Sequence, residues 1–317
     1  MLKSVFFGTP SVAVPFLERL AKTTRVVGVV ASPDKPAGRG YQLAAPPVKI
    51  AAEKLGLPVH QPPSLKTFSL RAALGETPDL GIVVAYGHLI PPAVFNAPRF
   101  GLINAHFSLV PRYRGAGPMQ WALIRGETET GVSLFRIDQG LDTGPVFLQR
   151  AAPIFPSDNA ATLRERLVAL GVELQDELIR KLEEGPFETT PQSGEASQAP
   201  LLKKEDGEIF WDRHTADQVA NLVRGTYEWP GAFARMKGQR IKIRAAEPRP
   251  GGNGRPGEVI AVEKGRGFLV KCLSDSVRVT RVQPDGKRKW TRKVFGTARG
   301  CPSATRSNNG GLNPWLS

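Results

Sequence analysis

Residues 80–86 read LGIVVAY and residues 101–106 read GLINAH. The first run is apolar throughout and too short for a helix. It reads as a strand covered on both faces. The second starts the same way and turns polar at Asn104 and His106. Outward from these, residues 2–7 and 25–31 (RVVGVVA) are two more such runs. Between them, Gly8-Thr9-Pro10-Ser11 has turn and helix-start chemistry, and Val12, Phe16, Leu17 and Leu20 recur at helical spacing. Residues 33–47 read as a Pro/Gly-rich loop and 48–55 as a helix. Apolar strands alternating with helices predict an α/β fold, a doubly wound and mostly parallel sheet.

Further along, residues 131–138 and 146–154 read as two more strands. Residues 160–184 read as a long amphipathic helix whose stripe is Leu163, Leu167, Leu170, Leu174, Leu178 and Leu182. Residues 185–200, GPFETTPQSGEASQAP, have linker composition with little to bury. A short helix at 215–224 follows. The period then falls to two in Ile241-Lys242-Ile243-Arg244, in 268–271 and in 277–280, with Gly/Pro turns between. That pattern predicts a small antiparallel β-barrel with a basic outer face. The expected organisation is a domain over 1–184, a linker over 185–204, a basic barrel over 205–289 and an irregular tail over 290–317.

Of the 317 residues, 41% are hydrophobic and 23% charged, an ordinary globular composition. No apolar run approaches the roughly 20 residues of a membrane helix. The start enters a strand directly, with no signal-peptide pattern. The two cysteines, Cys272 and Cys301, make neither a disulfide framework nor a cysteine zinc site. A cytoplasmic protein is expected. His60, His88, His106 and His214 are too far apart in sequence to suggest metal-ligand spacing, so no metal is expected. No Gly-rich loop of nucleotide-binding type is present, so neither ATP nor a dinucleotide is expected. Net charge is +14, unevenly placed. Residues 1–200 carry 20 basic and 18 acidic side chains, and the remainder 23 and 11. A basic half on a neutral half points to a polyanionic partner.

Three segments carry candidate chemistry. In 103–119, INAHFSLVPRYRGAGPM, an extended chain projects Asn104, His106 and Ser108 to one face. That face lies at the carboxyl end of a strand, where open α/β sheets bind ligands. In 137–144, IDQGLDTG, two acids sit in a Gly-rich turn. One is explained by turn chemistry and the other could face His106. In 32–40, SPDKPAGRG, followed by Lys49, the cations Lys35, Arg39 and Lys49 suggest phosphate contact.

Residues 103–146 resemble the folate-dependent formyltransferase family, whose signature is the Asn-x-His pair with the GLDTG turn. The resemblance extends to FFGTP at 6–10, SPDKPAGRG at 32–40, VVAYGHLIP at 83–91 and WPGAF at 229–233. It implies that Asn104, His106 and Asp142 are catalytic. It implies folate contacts from Ser108, Leu109, Val110 and Pro111, with Val110 replacing a leucine, and from Tyr86, Gly87, Leu89 and Ile90. It also implies a tRNA contact from Arg39, and the neighbouring cations Lys35 and Lys49 are expected to bind tRNA with it. Phe107 stands where the family usually has glycine and should alternate to the opposite face. The PAGRG loop and the basic barrel point to the branch acting on initiator methionyl-tRNA. The implied reaction takes the formyl group from 10-formyltetrahydrofolate, in a chain expected to be a monomer. Formylation of a sugar-nucleotide amine is the alternative.

Overall fold

The computed structural model describes residues 1–37, 42–185, 187–236 and 239–284. Arg39, the end of the expected basic domain and the 290–317 tail lie outside the described residues. The chain divides into two units. One comprises Met1–Pro118, Glu129–Pro153 and Arg164–Pro200, and the other Met119–Thr128, Ile154–Leu163 and the chain from Leu201 onward.

The first unit holds strands β1 (Lys3–Gly8), β2 (Arg25–Val30), β3 (Lys35–Ala37), β4 (Gln42–Ala44), β5 (Val59–His60), β6 (Leu80–Val84), β7 (Leu102–His106), β8 (Glu129–Arg136) and β9 (Val146–Pro153). Seven of them form one sheet in the order β5-β2-β1-β6-β7-β8-β9. The five from β5 to β7 are parallel, while β8 and β9 run antiparallel at the edge. Central strands read as continuous apolar runs because both faces are covered. Val5, Phe6 and Phe7 are fully buried, and burying a side chain of this kind contributes about 1.5–3 kcal/mol. One face packs Val5, Phe7, Val83 and Leu102 against Leu70, Val94 and Phe95. Leu70 belongs to α3 (Leu70–Leu74), while Val94 and Phe95 belong to α4 (Pro92–Phe95). The other helices are α1 (Val14–Thr23), α2 (Pro47–Lys54), α5 (Pro118–Ile124), α6 (Ala160–Glu184) and α7 (Ala216–Gly225).

Helix α6 buries Leu163, Leu167, Leu174, Leu178 and Leu182, while Leu170 is only partly covered. The residues expected to form one loop at 33–47 instead contribute the antiparallel pair β3–β4. Strand order reverses between β1 and β6, and that opens a crevice at their carboxyl ends. Strand β7 ends one position away.

In the second unit, β10 (Phe233–Met236), β11 (Gln239–Arg249), β12 (Val259–Glu263), β13 (Gly267–Lys271) and β14 (Ser276–Pro284) form an antiparallel sheet, ordered β10-β11-β14-β13-β12. Ile241, Ile243, Val277 and Val279 enter its core with Val219 and Val223 of α7. Alternation puts Arg278 on the other face, where Glu263 binds it at 2.6 Å. Thr215 and Gln218 form a capping box at the start of α7. No described helix is long and apolar enough to cross a membrane.

Candidate active site

Strand β7 ends at His106, and its register sets the site. Asn104 lies between Val83 of β6 and Phe135 of β8, and His106 pairs with Ser133. The β8–β9 connection brings Asp142 to this end. The Asn104 Nδ2 donates to Asp142 Oδ1 at 3.5 Å, and Asp142 Oδ2 lies 3.7 Å from His106 Nδ1. The three side chains therefore share one locus, although the acid is 38 residues beyond Asn104.

The two acids of the turn have different surroundings. Asp138 Oδ1 accepts the Gly140 N–H at 3.0 Å and the Thr143 hydroxyl at 2.6 Å, which is local turn chemistry. Asp142 instead turns its carboxylate inward, and its Oδ2 accepts the Gly115 N–H at 2.8 Å. Asp142 has φ 55° and Tyr113 φ 60°, a left-handed conformation uncommon outside glycine. Such residues cluster at functional sites when surrounding bonds hold them in place. Gly144 lies beneath this turn, where a Cβ would fall 1.7 Å from the Arg136 carbonyl. Only glycine lets the turn fold this closely onto β8.

His106 is buried, and its Nε2 sits 2.9 Å from the Tyr113 carbonyl. A carbonyl only accepts, so Nε2 carries the proton and donates it. Nδ1 is then the ring nitrogen facing Asp142. Phe107 points away, edge-on to Phe16 of α1 at 6.2 Å, which explains how a large residue fits beside the histidine.

Ser108 is wholly buried, and its hydroxyl donates to the Arg112 carbonyl at 2.7 Å. It thus closes the loop after β7. Val110 and Pro111 are also buried, whereas Leu109 is partly covered. Tyr86 packs edge-on against Phe7, and burial pushes its phenol up to about 12. Gly87 and Leu89 are exposed and Ile90 partly so. A cleft of about 300 Å³ lies next to the Asp142 turn, lined by Phe95, Asn96, Arg136, Ile137, Asp138, Gln139 and Pro145.

Lys35 is exposed on β3. Lys49 sits apart from it in its bonding, with Nζ 2.8 Å from Asp34 Oδ2. Gln61 donates to the same carboxylate at 2.7 Å, and these two partners hold Asp34 below the usual carboxylate range. Lys49 therefore braces the base of the loop.

Composition concealed one contributor. The segment read as linker supplies Gln192, Ser197 and Ala199 to the site. Ser197 Oγ accepts the Tyr113 N–H at 2.9 Å, and the Arg114 and Ser197 backbones bond at 2.8 Å. The Gln192 amide donates to the Asp142 and Gly144 carbonyls. Polar, Gly/Ser-rich sequence looks like linker because it buries little, yet backbone and amide bonds need no apolar surface.

The chain matches the family described as formyl transferase over residues 2–178, and the formyl transferase C-terminal domain over 201–299. These matches define its class as a formyl transferase. A methionyl-tRNA formyltransferase of Sorangium cellulosum is 44% identical over 90% of this chain and 93% of its own length. That of Thermus thermophilus is 41% identical over 96% and 99%. The chain belongs to the methionyl-tRNA formyltransferase family. Among solved structures, the Helicobacter canadensis N-formyltransferase in complex with folinic acid and dTDP-3-aminofucose is 19% identical, with TM-score 0.67 over 90% of this chain and 100% of that one. HypX from Aquifex aeolicus in complex with tetrahydrofolic acid is 21% identical, with TM-score 0.61 over 93% of this chain and 46% of its own. At these identities the two structures establish a shared fold.

Proposed function

We propose that this chain transfers the formyl group of 10-formyltetrahydrofolate to the free amino group of methionyl-tRNA, in the cytoplasm and as a monomer, for translation initiation. The observation that carries the reading is the meeting of Asn104, His106 and Asp142 at the carboxyl end of β7. Its support on the acceptor side is the 41–44% identity to enzymes of that name along most of the chain. The sugar-nucleotide alternative has only the fold in its favour.

The donor supplies a formyl carbon already activated on nitrogen. One C–N bond breaks, another forms, and a proton passes from the amine to the departing nitrogen, so the atoms balance without ATP. As the amine attacks, negative charge gathers on the formyl oxygen. The Asn104 amide and the Nδ1–H of a doubly protonated His106 ring are the proposed donors for that oxygen, and losing one such donor costs about 2.7–4 kcal/mol of transition-state stabilisation. With Nε2 committed to Tyr113, the ring cannot turn without breaking a bond. Asp142 orients both donors and is the acceptor for the amine proton, directly or through water.

The cleft beside the Asp142 turn has the size of a small-molecule pocket, and we assign the folate ring to it. Tyr86, Gly87, Leu89 and Ile90, on the segment that follows β6, are assigned further folate contacts by the family resemblance. Ser108, Leu109, Val110 and Pro111 act by shaping the loop after β7. Lys35 and Arg39 contact the tRNA backbone, with Lys49 fixing their loop through Asp34. The basic domain adds phosphate contacts, which position the tRNA without reading its bases.

The test incubates the purified full chain and 10-formyltetrahydrofolate with methionyl-tRNA, and in parallel with a UDP-amino-sugar. Formyl-methionyl-tRNA in the first reaction alone is the expected result. Transfer only to the sugar overturns the reading.

A further inference from the structure

Gln192 lies fifty residues beyond Asp142, on a segment without helix or strand. Its amide is used at both ends. Nε2 donates to the Asp142 carbonyl at 2.9 Å and to the Gly144 carbonyl at 2.8 Å. Oε1 accepts from the Arg114 guanidinium, at 3.2 Å from Nε and 2.7 Å from the terminal nitrogen. The two carbonyls flank the turn that holds Asp142 at φ 55°. Arg114 sits between Tyr113, whose carbonyl holds His106, and Gly115, whose N–H binds the Asp142 carboxylate. One side-chain amide thus ties the acid's turn to the loop that holds His106 and the Asp142 carboxylate.

The fit depends on having donors at one end and an acceptor at the other. The turn presents two carbonyls, which need N–H groups, and Arg114 presents only N–H groups, which need an oxygen. Glutamine meets both demands with one planar group. Glutamate would keep the bond to Arg114 and set its other oxygen against two carbonyls. Leucine would keep the shape and lose every bond.

The same segment also holds the backbone of the Tyr113–Gly117 loop. Tyr113 N–H donates to Ser197 Oγ, and the Arg114 N–H to the Ser197 carbonyl. The Ala199 N–H donates to the Arg114 carbonyl at 2.7 Å and the Gly117 N–H to the Ala199 carbonyl at 3.0 Å. Gly115 is required here, since a Cβ would fall 2.6 Å from the Ala199 carbonyl oxygen.

We infer that Gln192 is a positioning residue for formyl transfer, fixing Asp142 against Asn104 and His106 through the backbone of the Asp142–Gly144 turn. The inference rests on the proposed role of Asp142. Gln192 touches none of the reacting atoms in this scheme, so its removal should lower kcat and leave KM for both substrates nearly unchanged.

The experiment is a double-mutant cycle in the full-length protein, using Gln192→Leu, Asp142→Gly and the double variant. Glycine accepts φ 55° and removes the carboxylate. Steady-state kcat and KM and single-turnover transfer from 10-formyltetrahydrofolate to methionyl-tRNA are the readouts. Gln192→Leu should slow transfer about 10- to 50-fold, with both KM values within about threefold, as expected when an interaction acts in the transition state rather than in binding. In the Asp142→Gly background, Gln192→Leu should cost less than about threefold, because the group it positions is gone.

A full second loss in the double variant overturns the inference, as does wild-type kcat in Gln192→Leu. Raised KM values with unchanged kcat also overturn it. If Asp142→Gly itself transfers at the wild-type rate, the proposed catalytic site falls first, and that result is distinct from a failure at Gln192. Should Gln192→Leu not fold, Gln192→Glu carries the same test, with the same expected loss of kcat and the same overturning results.

Discussion

The Nε2–H of His106 is held by the carbonyl of Tyr113 at 2.9 Å, seven residues further along the chain. This bond leaves Nδ1 as the nitrogen that faces Asp142 and, in the proposed reaction, the formyl oxygen, and it sets the ring plane. A histidine free to turn could present either nitrogen to the formyl oxygen. Here a main-chain atom makes the choice, so the selection cannot be lost by changing the Tyr113 side chain alone.

Asn104→Ala removes a donor while leaving β7 intact, since the neighbouring strands are joined through backbone bonds. The expected loss is about 100- to 1,000-fold in kcat, the usual cost of one donor to a developing oxyanion. Single-turnover kinetics measures it. A loss below tenfold would take Asn104 out of the proposed role.

Asp142→Asn keeps the size and left-handed backbone preference of the residue. An amide cannot accept from both Asn104 and Gly115 as the carboxylate does. Turnover should collapse while folate affinity, followed by fluorescence titration, stays within about threefold. Wild-type turnover would contradict the assignment.

The loop cations should separate into two kinds. Arg39→Ala should raise KM for methionyl-tRNA severalfold at moderate salt, and the difference should shrink as salt rises, because fewer counterions are released on binding. Lys49→Ala should act through Asp34, so Asp34→Ala should reproduce its effect and the double variant should be no worse. Unchanged KM in Arg39→Ala contradicts the loop's role, and additive losses at Lys49 and Asp34 contradict the brace.

His214 makes a pH prediction in the second unit. Its Nδ1 accepts the Phe210 N–H at 3.3 Å, and burial holds its pKa below the ordinary 6.5. The unfolded chain therefore takes up a proton at a higher pH than the folded one. Stability from this group is complete above about pH 6.5 and declines as pH falls towards the folded value. Thermal unfolding followed between pH 7.5 and 5.5 should show a steeper decline in the wild type than in His214→Gln. Parallel curves would refute it.

The sheet was readable because its central strands are apolar on both faces. The run Val5-Phe6-Phe7 and the run at 80–84 need no alternation to be recognised. Helix α6 was readable for a related reason, since its leucines recur at three and four residues over many turns. Strand β5 has two residues, while α3 and α4 are single short turns, so none spans enough residues to establish a period. At the site, Asn104 and His106 stood out as polar residues ending an apolar strand. Asp138 and Asp142 could not be told apart by residue type, because turn chemistry uses the same acids. Gln192 gave no signal at all. An isolated glutamine in a polar stretch acquires meaning only when Asp142, Gly144 and Arg114 are folded around it.

That dependence has a consequence during synthesis. Asn104, His106 and Asp142 emerge from the ribosome well before the segment that fastens them. Until residues 192–199 have been translated and folded back, the Asp142 turn lacks its two bonds from Gln192, and the Tyr113–Gly117 loop lacks its bonds to Ser197 and Ala199. On the proposed scheme, a growing chain becomes a competent catalyst not when its last reactive side chain appears, but some fifty residues later, when the clasp closes.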